Sequence, residues 1–157
     1  MLTATLTQGH RIASGLAQDP RFPDGTLALQ FPLFQEHGLD LAARGLHPAT
    51  LNLSIAPLTW KPLAPAHTFR QLAWTDHFPP EDFSFFDCQL TPPHTDTPLD
   101  ALIYYPHPDT KPPDHPQSPS TLEVLAPKLK NIAYGDTFQI HLPPSQIEIT
   151  NPPNANP

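Results

Sequence analysis

The chain has 157 residues and a formal net charge of −7, with eight Lys and Arg; this is the size of one domain with one core, and the cations are too few to neutralise a run of phosphates, which argues against nucleic acid as a partner. Proline is the outlier at 24 residues against a usual share of about 5%; because it fixes φ and lacks an N–H, it disfavours long helices and favours short strands joined by stiff loops. No apolar run approaches a membrane span of about 18 residues, and the N-terminus lacks the basic, apolar, small-residue order of a signal peptide, so a soluble cytoplasmic protein with no membrane partner is expected.

Ala4 to Ala13 carries β-compatible residues and ends at Ser14-Gly15-Leu16, which predicts a strand followed by a turn. Gln18 to Gly25 holds two prolines, two aspartates and a glycine and reads as a loop. From Leu27 to Leu41 the apolar spacing suggests an amphipathic helix interrupted at Pro32 and Gly38, leaving a short helix near Leu33 to His37. Thr50 to Ile55 alternates strictly, Leu51, Leu53 and Ile55 against Thr50, Asn52 and Ser54. That period of two predicts a half-buried strand, with Thr50 and Asn52 on one face about 7 Å apart, close enough to share a cation.

Ala56 to Pro80 is punctuated by prolines, with Phe69 to Trp74 as a short strand or a turn of helix. Phe83 to Leu90 and Leu99 to Tyr105 flank a polar stretch and predict a β-hairpin. Pro106 to Pro119 contains six prolines and no apolar period, so it is either disordered or a working loop over a site. Thr121 to Leu125 predicts a strand, Pro127 to Ile132 a helical turn, and Thr137 to Leu142 a last strand after Gly135-Asp136; the tail Asn151 to Pro157 has nothing to bury. Together these describe a mainly β single domain over residues 1–150 with short helices, a small barrel of about six strands.

The lone Cys88 excludes an internal disulfide and reads as a small buried apolar residue. Of the nine histidines, His107 and His115 share the proline loop with Asp109 and Asp114; a transition-metal site there is the minor reading, solvated histidines the major one. The chain carries no Walker loop, dinucleotide glycine fingerprint or nucleophile elbow.

Three segments in order, Ile12-Ala13-Ser14-Gly15-Leu16, His47-Pro48-Ala49-Thr50-Leu51-Asn52-Leu53, and Leu122-Glu123-Val124-Leu125-Ala126-Pro127 with Gly135-Asp136 behind it, make the chain resemble the archaeal CTP-dependent riboflavin kinases. The resemblance spans about residues 9 to 142, with Phe85 to Leu90 and Asp100 to Pro106 looking like the family's central hairpin. It implies a six-stranded cradle-loop barrel that phosphorylates riboflavin to FMN with CTP and magnesium. Carried over by position, Thr50 and Asn52 would hold Mg2+, Glu123 and Thr110 would contact the flavin, and Glu123 would orient the substrate or assist deprotonation of its hydroxyl. Ser14, Gly15, Leu16, Ala17, Arg21, Lys128 and Lys130 would serve the nucleotide. The hydroxyl and amide would then stand side by side within a closed sheet, in a monomer or weak dimer.

The departures all fall on the nucleotide side. Where the family has a glycine-rich loop whose amides approach phosphate, this chain has Ala17-Gln18-Asp19-Pro20-Arg21; proline removes a donor and Asp19 adds a negative charge. Ala49 stands where the family has glycine, and the segment between Pro127 and Gly135 is shorter by about a helical turn. Two other readings therefore accompany the kinase: an inactive barrel that binds a flavin, nucleotide or protein partner, and an interaction protein that offers the proline-rich segment 106–119 as an extended ligand.

Overall fold

The computed structural model describes residues 1–9, 20–111 and 117–152. In chain order the elements are β1 (Leu2–Thr7), α1 (Thr26–Glu36), β2 (Leu51–Ser54), β3 (Thr59–Pro62), β4 (His67–Leu72), β5 (Glu81–Thr91), β6 (Leu99–Pro106), β7 (Thr121–Leu125), β8 (Thr137–His141) and β9 (Ile147–Thr150). Seven strands form one antiparallel sheet in the order β4-β5-β6-β7-β2-β1-β8. Because β5 also pairs with β8, from Gln89 opposite His141 to Thr91 opposite Gln139, the sheet curls into a ring. β3 and β9 make a separate two-stranded ribbon.

The side-chain period of β5 explains the layering. Phe86, Cys88 and Leu90 point into the ring and join Leu53, Ile103, Val124, Phe138 and Ile140 in its interior core. Phe83 and Phe85 point outward and join Phe34, Leu102, Tyr104 and Leu125 beneath α1 and the turn at 39–46. The first half of β5 is thus buried on both faces, taking in Glu81, Asp82 and Ser84 along with its phenylalanines, and its second half is buried on one face only, where exposed Asp87 and Gln89 alternate with Cys88 and Leu90. Cys88 lies in the interior as expected, where burial pushes its thiol up to about 12.

Several expectations are corrected. The helix is not confined to residues 33–37; it starts at Thr26 and runs through Pro32, which removes one internal hydrogen bond. Its buried face is Thr26, Leu27, Gln30 and Phe34, two of them polar, while Leu29 faces solvent. A Schellman cap ends it: Leu39 N–H donates to Phe34 O (2.9 Å) and Gly38 N–H to Gln35 O (3.1 Å), with Gly38 at φ 101°. Residues 127–132 form no helical turn; Asn131 and Gly135 take positive φ there, and Leu6 N–H donates to Asp136 O (2.8 Å), tying the turn before β8 to β1. The first strand ends at Thr7, and β3 and β9 are strands the sequence reading did not place. The tail residues 153–157 lie outside the described residues.

Glu81 opens β5 with only 3% exposure, its Oε2 accepting from Trp74 Nε1 at 2.6 Å. Burial raises its carboxyl above the usual 4.5, opposed by the Trp74 hydrogen bond and the Lys111 charge. A carboxyl raised in the folded state contributes stability that is full below the unfolded value and fades as pH rises through the folded one. In thermal unfolding from about pH 4 to about pH 8, the wild-type midpoint should therefore fall relative to Glu81→Gln, which keeps an acceptor for Trp74 without the titration. Parallel curves for the two proteins would contradict this.

Candidate functional site

Leu51, Leu53 and Ile55 pack with the ring interior, so alternation sends Asn52 to the outer surface of the sheet. The Asn52 amide, expected within a closed sheet, therefore faces the ring's outside. Thr50 immediately precedes β2 and is half-buried, and its hydroxyl has no hydrogen-bond partner among the described residues. Asn52 is fixed from both neighbouring strands. On one side it stands opposite Thr7 of β1, whose hydroxyl donates to Asn52 O (3.2 Å); on the other it stands opposite Glu123 of β7. Directly opposed residues of this kind have Cβ atoms about 4.5–5.5 Å apart. The Asn52 side-chain oxygen Oδ1 accepts from Gln117 Nε2 at 3.3 Å.

Glu123 and Gln117 line a cleft of about 420 Å³ together with Trp60, Tyr105 and Lys111, and prolines form much of its rim. The Trp60 and Tyr105 rings meet edge to face at 5.2 Å and 69°. Trp60 is held in place by its indole N–H to Thr121 O (2.9 Å) and its backbone N–H to Pro119 O (3.1 Å). A preset aromatic wall beside a carboxylate and an ammonium group suits a flat heteroaromatic ligand with ring N–H donors. Behind this face, burial first and then the charges of Glu123 and Glu81 push the Tyr104 hydroxyl well up, against the opposing hydrogen bond to Gln30 Oε1 (2.5 Å); the phenol stays protonated.

The other predicted residues are placed as follows. Thr110 does not line the cleft, whereas its neighbour Lys111 does; the Thr110 hydroxyl accepts from Asp82 N–H at 2.8 Å and ties the chain after β6 back to β5. Arg21 lies over the rings of Phe22 and Phe78, 5.4 Å and 5.0 Å from their centroids. Lys128 and Lys130 are exposed between β7 and β8. Ser14, Gly15, Leu16 and Ala17 fall outside the described residues, as do Asp114 and His115. His107 is used within the fold, its Nε2 sharing a 2.6 Å hydrogen bond with the Ser84 hydroxyl, which in turn meets the Thr68 hydroxyl at 2.9 Å. Among the described residues no group of three His, Cys, Asp or Glu converges as a metal site.

Trp60, Tyr105, Lys111 and Gln117 were not read from the sequence as site residues. Trp60 belongs to a strand that was not predicted, and Tyr105 and Lys111 reach Glu123 only through the pairing of β6 with β7. A second cleft of about 520 Å³ lies among Arg44, Asp87, Gln89, Asp100 and His141 and contains none of the predicted site residues. Gln146 Nε2 already donates to Asp87 (2.8 Å) and Gln89 Nε2 to Asp100 (3.3 Å). No helix among the described residues is long and apolar enough to cross a membrane. No family model matches the chain, and no curated protein matches it.

Proposed function

We propose that the chain is a riboflavin kinase-like phosphotransferase, moving a phosphoryl group from a CTP-type nucleotide to a hydroxyl of riboflavin to give FMN. In this reading the ring β5-β6-β7-β2-β1-β8 is the six-stranded cradle-loop barrel of the resembled family, with β4 and the β3/β9 ribbon added to it. The observation that carries the proposal is the direct opposition of Asn52 and Glu123 across β2 and β7, with Glu123 on the wall of an aromatic cleft. Cation ligand and substrate ligand are then neighbours, as an in-line transfer requires.

Magnesium suits the donor set, being a hard cation that takes few protein oxygens and keeps several waters. The Thr50 hydroxyl and the Asn52 amide oxygen would hold it, where it would neutralise charge on the nucleotide phosphates. The Trp60 and Tyr105 rings would stack or flank the flavin ring system, and Glu123 would orient the substrate or assist loss of its hydroxyl proton. Lys111 supplies the cleft with a positive charge.

The test is incubation of the purified protein with riboflavin and magnesium, offering CTP and ATP in turn and following FMN by chromatography. FMN should form with CTP. Quenching of riboflavin fluorescence without FMN from either donor would overturn the transferase reading in favour of a flavin-binding barrel, a result the sequence at Ala17 to Arg21 would explain through its lost phosphate donors.

A further inference from the structure

We propose that Gly9 and Gln117 are positioning residues for the Asn52 amide, and that Gln117 couples occupancy of the aromatic cleft to cation affinity at Asn52. The coupling rests on the phosphotransferase reading; the positioning does not.

Gly9 follows β1, and its φ lies outside the left-handed region that Gly25, Gly38, Gly45 and Gly135 occupy. Backbone conformation is therefore not what calls for glycine at this place. Space is: a Cβ on Gly9 would fall 2.5 Å from Asn52 Cγ and 2.6 Å from Oδ1, and would overlap Nδ2 as well. These atoms belong to a short side chain with two torsions, on a strand pinned by Leu6 opposite Leu53, Thr7 opposite Asn52 and Glu123 opposite Asn52. The β2 backbone is held by two ladders, so a side chain at 9 presses on the end of the Asn52 amide, the group it meets first. The bare backbone of Gly9 is thus the surface on which the amide rests.

Gln117 acts from the cleft. Its Nε2 donates to Asn52 Oδ1 at 3.3 Å, taking one of the two lone-pair directions of that oxygen and leaving the other for a cation. The same residue lines the cleft with Trp60 and Glu123. A ligand entering the cleft orders Gln117, Gln117 orders the amide, and the cation meets an oxygen already aimed. By linkage the effect is reciprocal: the cation raises affinity for the cleft ligand by the same factor.

The experiment uses the full chain labelled with ¹⁵N, reading the Asn52 side-chain amide resonance and titrating Mg2+ with and without riboflavin. Gly9→Ala should shift the Asn52 resonance and weaken Mg2+ binding by roughly tenfold, while the thermal midpoint stays near wild type. Gln117 is exposed, so Gln117→Ala keeps the fold; it should also shift the Asn52 resonance and abolish a riboflavin-induced gain in Mg2+ affinity that is about fivefold or more in the wild type. An unmoved Asn52 resonance in both variants overturns the positioning. Equal gains in the wild type and Gln117→Ala overturn the coupling. If the wild type binds neither riboflavin nor Mg2+, the coupling falls with the transferase reading, and the resonance alone still decides the positioning.

Discussion

Replacing Phe34 with alanine should lower the unfolding free energy by about 3–5 kcal/mol, measured as a drop in the urea midpoint. Phe34 is fully buried and is the point where α1 grips the sheet. Its ring meets Phe85 at 5.0 Å and 85°, Phe83 at 5.3 Å and 78°, and Phe69 at 5.7 Å. Edge-to-face contacts of this kind add to the transfer term, and β4 and β5 are held by backbone pairing and cannot close on the cavity. A domain of this size has about 5–15 kcal/mol in total, so the variant should be only marginally folded. Phe34→Leu keeps most of the volume and should cost far less. None of the three partner rings lines the aromatic cleft, so Phe34→Leu should bind ligand there as the wild type does. A loss below about 1 kcal/mol for Phe34→Ala would mean that α1 is not docked as described.

The parts of this fold that were legible are those where one face is buried and the partner is local. Leu51 to Ile55 alternates because only its apolar side enters the ring, and the β5/β6 hairpin announces itself by two apolar runs about a short polar loop, with Leu90 meeting Leu99. The helix was misjudged for a physical reason: its inward face carries Thr26 and Gln30, Gln30 being retained there by the Tyr104 hydroxyl, and Pro32 suggested a break that tertiary packing overrides. β9 did carry a signal in the alternation of Ile147, Glu148 and Ile149, but four residues among prolines are too few to outweigh a loop reading. The closure of β5 onto β8 is non-local and left no mark in either strand.

The site divides in the same way. Asn52 and Glu123 were both named from the sequence, 71 positions apart, yet only the antiparallel register of β2 and β7 makes them opposite numbers. The placement outside the ring follows from the alternation that identified the strand: if Leu51, Leu53 and Ile55 fill the core, the amide has to face away from it. Thr110 is not among the residues that line the cleft, and its hydroxyl accepts from the Asp82 backbone, a partner that residue type alone does not reveal.

On the phosphotransferase reading, Asn52→Ala should reduce FMN formation by roughly 10²–10³-fold, since it deletes one of the two protein oxygens that would hold the metal and would leave the phosphates unpositioned. The thermal midpoint should hardly move, because the backbone pairs of Asn52 with Thr7 and Glu123 survive and the released Gln117 amide is at the surface. Asn52→Asp separates the ligand role from a packing role. It restores an oxygen but sets a second carboxylate directly opposite Glu123, a like-charge pair that destabilises by roughly 0.2–1 kcal/mol in an antiparallel sheet. Without metal, Asn52→Asp should therefore melt below the wild type at neutral pH and recover as the pH falls and the carboxylates protonate. With Mg2+ the repulsion becomes attraction to a shared cation, so Mg2+ should raise the midpoint of Asn52→Asp more than that of the wild type. A midpoint in Asn52→Asp that ignores Mg2+, together with Asn52→Ala at the wild-type rate, would remove the cation from this strand and with it the proposed chemistry.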